Sequence, residues 1–367
     1  MGGKLTEETR QRISERMAQL KEEQSTDAVR NIIEFNKTPV DIKAHMDRFV
    51  IGQDEGKKVI STAISFHYKR LGNALKHSIL EYNGDLGTAL RNTRTPKANI
   101  LIIGPTGCGK TYSSSTVSEL VGVPFVEEDL TKFSEVGYVG QSAVDILVDL
   151  FVSAGGNSNI AQMGIVYLDE LDKIAKETSA FRDVSGAGVQ KGLLKLVEGI
   201  ENVISMDGER LLLSTKHVLF IAGGAFEDLE KIVGSCMESK KLKGNWKDFL
   251  LTDDLVSFGM ERQLMGRFPV RVVYDPLGEE DLKSIMVRSE DSPVRAYVND
   301  FKTWGIDLAI TDEALSQIAR HAQVEGTGAR GLIGILHRVL IDDMFSLPGR
   351  FSGELRVDEA YVKEKLH

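Results

Sequence analysis

The stretch "NILIIGPTGCGKTYSSSTVSELVG", residues 99–122, decides the fold. A short apolar run rich in β-branched residues passes through a glycine turn into a helical pattern, so a strand, a loop and a helix follow one another directly. Gly104 to Thr111 fit G-x-x-x-x-G-K-[ST], and they fit it in the strand-to-helix setting that this phosphate-binding loop requires. Glycines at these positions let successive backbone N–H groups turn inward around phosphate oxygens with no Cβ in the way. Lys110 then reaches the outer phosphates, the Thr111 hydroxyl suits Mg²⁺, and the helix points its positive end at the anion. Gly104, Pro105, Thr106, Gly107, Cys108, Gly109, Lys110, Thr111 and Tyr112 are therefore candidate nucleotide-binding residues. Cys108 is read as a small filler inside the loop, with oxidation that blocks the nucleotide as the alternative.

Downstream, "VPFVEED" (123–129), "GIVYLDE" (164–170) and "HVLFIAGG" (217–224) repeat the apolar-strand theme. Continuous apolar strands separated by helices predict an α/β fold with a parallel sheet covered on both faces. The "GIVYLDELDK" strand ends in Asp169 and Glu170. A carboxylate at the end of an apolar strand beside a phosphate loop suits the metal shell, which is the role predicted for Asp169. Glu170 is then placed to orient and deprotonate an attacking water.

Upstream, residues 5–36 are charged and helix-prone, with a narrow apolar stripe at Leu5, Ile13, Met17 and Leu20. They read as a solvated arm or as a partner-binding helix. Pro39 and Asp41 mark the start of a first folded helix, Gly52 breaks the pattern before a second, and residues 82–97 read as a surface connection. Past Asp275 the strand signal fades apart from "IDLAIT" and "ELRVD". The expected division is a helical N-terminal extension over 1–38, a large domain over 39–274 and a smaller, mostly helical domain over 275–367.

The bulk numbers exclude several classes. A net charge of −9 offers no overall basic field for nucleic acid or anionic lipid. Two cysteines make neither a disulfide framework nor a zinc site of the CxxC type. No apolar run approaches membrane-spanning length and the N-terminus lacks an apolar signal core, so a reduced cytoplasm is the expected compartment.

Eight segments in order, among them "FVIGQDEGKKVISTAISFHYKRL", "GPTGCGKT", "GYVGQ", "IVYLDELDKI", "FRDVSGAGVQKGLLKLVEG" and "GARGLIGIL", resemble the boxes of the bacterial AAA+ protein unfoldases ClpX and HslU. The resemblance covers roughly residues 40–365. It implies ATP and Mg²⁺ as cofactors, a homo-hexameric ring and polypeptide substrates. It further implies that Tyr138 and Val139 project into the pore of the ring and grip a threaded chain, with Arg182, Asp183 and Val184 in a second pore loop. Arg267 in "GRFPV" matches the arginine finger that acts on a neighbouring subunit, and Arg330 in "GTGARGL" matches the sensor carried by the small domain. Val50 and Ile51 match the adenine contact. Glu170, Lys110, Arg267 and Arg330 are thus the expected catalytic set.

The departures bear on partners. The sequence has no N-terminal cysteine module and no long insertion after "GYVGQ". It has no I-G-F-like tripeptide in 227–254, no basic loop in "ENVISMDGERLLLSTKH" and no extended tail after "VDEAYVKEKLH". Gly223 and Gly224 stand where many AAA+ proteins carry Asn or Thr. The leading expectation is an ATP-driven ring unfoldase that works without a peptidase. The ATPase subunit of a two-component protease, a nucleic-acid remodeller and a nucleotide-switched scaffold are the alternatives.

Overall fold

The structure is a computed structural model and describes residues 27–133, 143–175, 184–206 and 209–366. The N-terminal stripe and the pore-loop candidates Tyr138, Val139, Arg182 and Asp183 lie outside the described residues, and of Val184 only the backbone is described.

The strands are β1 (Ile100–Ile103), β2 (Phe125–Asp129), β3 (Ile165–Asp169), β4 (Glu201–Met206), β5 (Glu209–Ser214), β6 (Leu219–Gly224), β7 (Val270–Val273), β8 (Ile306–Ile310) and β9 (Gly353–Val357). Five form one sheet in the order β2-β3-β6-β1-β7, and all its pairings are parallel. The α/β architecture read from the apolar runs is borne out. Alternation explains why those runs are continuous: Leu101, Ile103, Val166 and Leu168 enter one core layer, while Ile100, Ile102, Ile165 and Tyr167 enter the opposite one. Every residue of β1 and β6 is buried, as strands covered on both faces must be. A third core, built from residues such as Leu282, Ile318, Leu336 and Val362, belongs to the segment after β7, where β8 and β9 pair in parallel.

Local signals held where expected. The helix Pro39–Phe49 opens with Thr38 and Asp41 in a reciprocal capping box and Pro39 in its first turn. The next helix, Asp54–Glu81, starts after Gly52 and Gln53, both at positive φ. Three elements depart from the reading. Residues 82–97 contain a helix, Leu86–Asn92, whose Ala89 and Leu90 are fully buried. "VRVV" is the edge strand β7. "ENVISMDGERLLLSTKH" is no plain connector: β4 and β5 pair antiparallel from Glu201↔Ser214 to Met206↔Glu209 around the Asp-Gly pair.

Candidate nucleotide site between the sheet and the C-terminal helices

The loop leaving β1 carries Gly107 at φ +76° and Gly109 at φ +94°, backbone that side chains with a Cβ adopt only under strain. The helix Lys110–Val121 follows at once, with its first N–H groups at the mouth of the loop. Lys110 is only 8 % exposed, and its ammonium donates to the carbonyls of Gly104 at 2.6 Å and Pro105 at 2.8 Å. Gly104 and Pro105 thus form the back of the loop. Thr106 to Tyr112 line a cleft of ≈ 370 Å³ together with Val50, Ile51, Asp169, Glu170 and Arg330.

Parallel pairing of β3 with β6, and of β6 with β1, sets the end of β3 beside the loop. The Thr111 hydroxyl donates to Asp169 Oδ2 at 3.2 Å. The Glu170 N–H donates to Asp169 Oδ1 at 2.9 Å, and the buried Tyr167 hydroxyl donates to the same oxygen at 3.4 Å. Glu170 has φ +57°, a conformation that costs a non-glycine residue on the order of 1–3 kcal/mol and that concentrates at functional sites. Burial, followed by the charge of Asp169, raises Tyr167 well above the usual phenol range, so it is a neutral donor.

The far wall of the cleft comes from the C-terminal segment. The Ala329 N–H donates to the Gly107 carbonyl at 3.2 Å, so the start of the helix Ala329–Ser346 touches the phosphate loop itself and brings Arg330 to the cleft. Leu277, Ile285 and Ile333 add apolar surface that the sequence reading missed, and Tyr112 donates from the opposite side to Asp291. Ile285 and Ile333 have only helical spacing as a sequence signal, which does not say which cavity a helix faces, and Leu277 precedes its helix with no local signal at all. Burial raises the Cys108 thiol despite nearby Lys110 and Arg330, which disfavours a reactive thiolate and supports the filler reading.

The approach of the two lobes makes Gly107 a test of the site. A Cβ there would lie 2.5 Å from the Thr327 carbonyl oxygen, beyond the cost of its positive φ. Gly107→Ala is expected to weaken nucleotide binding about tenfold, since left-handed backbone costs a non-glycine residue ~1–2 kcal/mol and each 1.36 kcal/mol is tenfold. Unchanged affinity by titration with a fluorescent nucleotide would count against this placement.

Arg267 lies elsewhere. It does not line the cleft, its side chain is half exposed, and it donates to Glu198 Oε1 at 2.7 Å at the C-terminal end of the helix Val184–Glu198.

A parallel sheet, a glycine phosphate loop, a strand-end Asp-Glu pair and an arginine contributed from a C-terminal helical lobe define an AAA+ ATPase. Residues 95–271 match the family described as "AAA domain (Cdc48 subfamily)", and residues 277–357 match "C-terminal, D2-small domain, of ClpB protein". The chain is 40 % identical over 332 residues to the ATP-dependent Clp protease ATP-binding subunit ClpX of Borrelia duttonii, covering 85 % of this chain and 75 % of that one. It is 37 % identical over 335 residues to ClpX of Treponema denticola, with 85 % and 77 % covered. With ClpX of Bacteroides thetaiotaomicron the identity is 36 % over 358 residues, covering 92 % and 83 %. The chain belongs to the ClpX family, as its eight ordered segments led us to expect, and it binds and hydrolyses ATP. Among the described residues, no helix is long and apolar enough to cross a membrane.

Proposed function

We propose that this chain is the motor subunit of a homo-hexameric, ATP-driven protein unfoldase, with residues 39–274 and 275–367 as its two lobes and 1–38 as an extension. The observation that carries this reading is the contact of the second lobe with the phosphate loop at Gly107–Ala329, because nucleotide chemistry in the cleft then acts on the angle between the lobes. Arg267, outside its own cleft and partly exposed, is available to a neighbouring copy's nucleotide, which is the trans role its motif implies.

The donor set fits Mg²⁺: a hydroxyl and a carboxylate, both hard oxygen donors, lie within hydrogen-bond distance at Thr111 and Asp169. Among the described residues no group of three or more His, Cys, Asp or Glu could hold a metal ion, which suits a cation bound mainly through phosphates. When bound, the cation neutralises charge on the phosphates. The chain's own residues do the rest. Lys110 and the loop N–H groups hold the phosphates, and Glu170 orients and deprotonates water. Val50 and Ile51 receive the base, Arg330 senses the nucleotide from the second lobe, and Arg267 steadies developing charge in trans.

Tyr138 and Val139, together with Arg182, Asp183 and Val184, are the proposed grip on substrate. An aromatic offers sequence-tolerant apolar contact of ~0.5–1.5 kcal/mol beyond area burial, so Tyr138→Ala is expected to slow unfolding of a tagged fluorescent protein about tenfold. Basal ATPase should stay within about twofold, since the role proposed for Tyr138 is to hold substrate and not nucleotide. Unfolding at the parental rate would remove Tyr138 from this role.

A second reading is favoured by the relatives themselves, which are ATP-binding subunits of an ATP-dependent Clp protease. In it the same motor feeds a peptidase through a docking surface in 227–254. One experiment separates the readings: ATPase rate and oligomeric state in the presence of unfolded protein, DNA or a ClpP-type peptidase. Stimulation by unfolded protein alone supports an autonomous unfoldase, and ATP-dependent proteolysis supports the second reading. Stimulation by DNA alone, or a persistent monomer with nucleotide, would overturn both.

A further inference from the structure

β6 ends in Gly223 and Gly224 where it runs past the phosphate loop, so this strand offers no side chain to the site at either position. The space at Gly223 is nevertheless filled. A Cβ built there would lie 2.0 Å from the Tyr167 hydroxyl oxygen and 2.8 Å from the adjoining ring carbon. Tyr167 sits on the neighbouring strand, where it pairs with Ile221, and side chains two residues apart on a strand share a face. The phenol therefore crosses from β3 over the glycine of β6 and reaches Asp169 Oδ1 at 3.4 Å.

Packing alone does not call for this hydroxyl. The ring lies in a fully buried apolar layer with Ile102, Ile165 and Ile221, where a phenylalanine would fill the same volume and a buried O–H is costly without a partner. Gly223, in turn, is the residue that lets the hydroxyl through. With the Glu170 N–H on Oδ1 and the Thr111 hydroxyl on Oδ2, Tyr167 completes a set of three donors that fixes the rotation of the Asp169 carboxylate.

We propose that Tyr167 is a positioning residue of the ATPase site: reaching through the gap at Gly223, its hydroxyl aligns Asp169 toward the cation. The proposal rests on the ATPase reading of the cleft. It is tested with the full chain by titrating a fluorescent ATP analogue at a series of Mg²⁺ concentrations and in EDTA, with thermal unfolding recorded alongside. Loss of a group that orients a metal ligand costs about 10–100-fold in metal affinity, so Tyr167→Phe is expected to raise the Mg²⁺ concentration for half-maximal binding about tenfold. Affinity in EDTA and the melting temperature should stay at parental values, which a merely structural role would not predict. Gly223→Ala, whose Cβ displaces the hydroxyl while keeping the phenol, should give the same shift. The double variant Tyr167→Phe/Gly223→Ser, which returns a hydroxyl from the other strand, should recover most of it. Parental Mg²⁺ dependence in both single variants, or a loss that appears equally in EDTA, would overturn the proposal. Nucleotide binding by the parent chain that ignores Mg²⁺ would instead overturn the ATPase reading of the site, and this proposal with it.

Discussion

Glu170→Gln is expected to bind ATP as the parent does and to hydrolyse it about a hundredfold or more slowly, because a positioned general base contributes typically 10²–10⁴-fold. At 1.36 kcal/mol per decade this is about 3 kcal/mol or more of lost transition-state stabilisation. The substitution is clean for a structural reason. Glu170 stands at φ +57°, and Gln meets that strain with the same Cβ and chain length, so the backbone that presents the side chain is undisturbed. The bond from its N–H to Asp169 Oδ1 belongs to the main chain and persists. What changes is the ability to accept a proton. Single-turnover hydrolysis beside equilibrium nucleotide binding separates the two effects. A Gln variant that turns over at the parental rate would assign the base elsewhere, and one that fails to bind nucleotide would make Glu170 a structural residue.

This residue also shows what the sequence made legible. Gly104 to Thr111 could be read because everything they need is local: a strand before, a helix after, and glycines where the chain must take positive φ. Asp169 and Glu170 could be read because they end an apolar strand, although their meeting with Thr111 depends on parallel pairing across β3, β6 and β1. The misses fall into two kinds. The β4–β5 pairing carried its signal in plain view, since Asp207-Gly208 stands between two strand-length runs rich in Val, Ile and Leu. Tyr167, Leu277, Ile285, Ile333 and Asp291 are different: each meets the cleft or its Asp169 through what a distant element brings against it. No local pattern shows that the gap at Gly223 and the phenol at position 167 occupy one space. Burial of the Leu86–Asn92 helix is likewise tertiary, since it rests on Ala89 and Leu90 beneath polar neighbours.

The link between the lobes gives the motor reading its physical content. Gly107 and Gly328 meet backbone to backbone: a Cβ on Gly328 would lie 3.0 Å from the Gly107 carbonyl oxygen, so neither residue has room for a side chain. On the other side of the cleft, Arg48 pairs with Glu290 at 2.6 Å, and the Glu290 N–H donates to the Arg48 carbonyl at 2.9 Å. The second lobe is therefore held on both flanks of the cleft, at the phosphate loop through Ala329 and beside the expected base contact through Arg48–Glu290 and the Ser289 hydroxyl on the Phe49 carbonyl, with Tyr112–Asp291 between the lobes as well. In the proposed motor, a change in phosphate occupancy would act on the contact at Gly107, and the packed core around Leu336 would then move as a unit.

Lys110→Ala is expected to remove nucleotide binding to the limit of ordinary titrations, and the structure says why the loss should be steep. The ammonium is the only charge that the loop itself contributes, and it is nearly buried under the carbonyls of Gly104 and Pro105 at 2.6 and 2.8 Å. A hydrogen bond to a charged group is worth about 1.5–3 kcal/mol, so losing two such bonds to phosphate oxygens costs about 3 kcal/mol or more, roughly a hundredfold or more in affinity. Folding should survive. Alanine is the best helix former, so the first turn of Lys110–Val121 keeps its geometry, and of the two freed carbonyls that of Pro105 belongs to an exposed residue. Melting without nucleotide should thus be close to parental, while the rise in melting temperature that ATP gives the parent should vanish in the variant. Affinity within threefold of the parent, in a variant shown to be folded, would mean that the phosphates are held elsewhere. The assignments of Thr111, Asp169, Glu170 and Arg330 would then fall with Lys110, because all four are placed by reference to the phosphate it is said to hold.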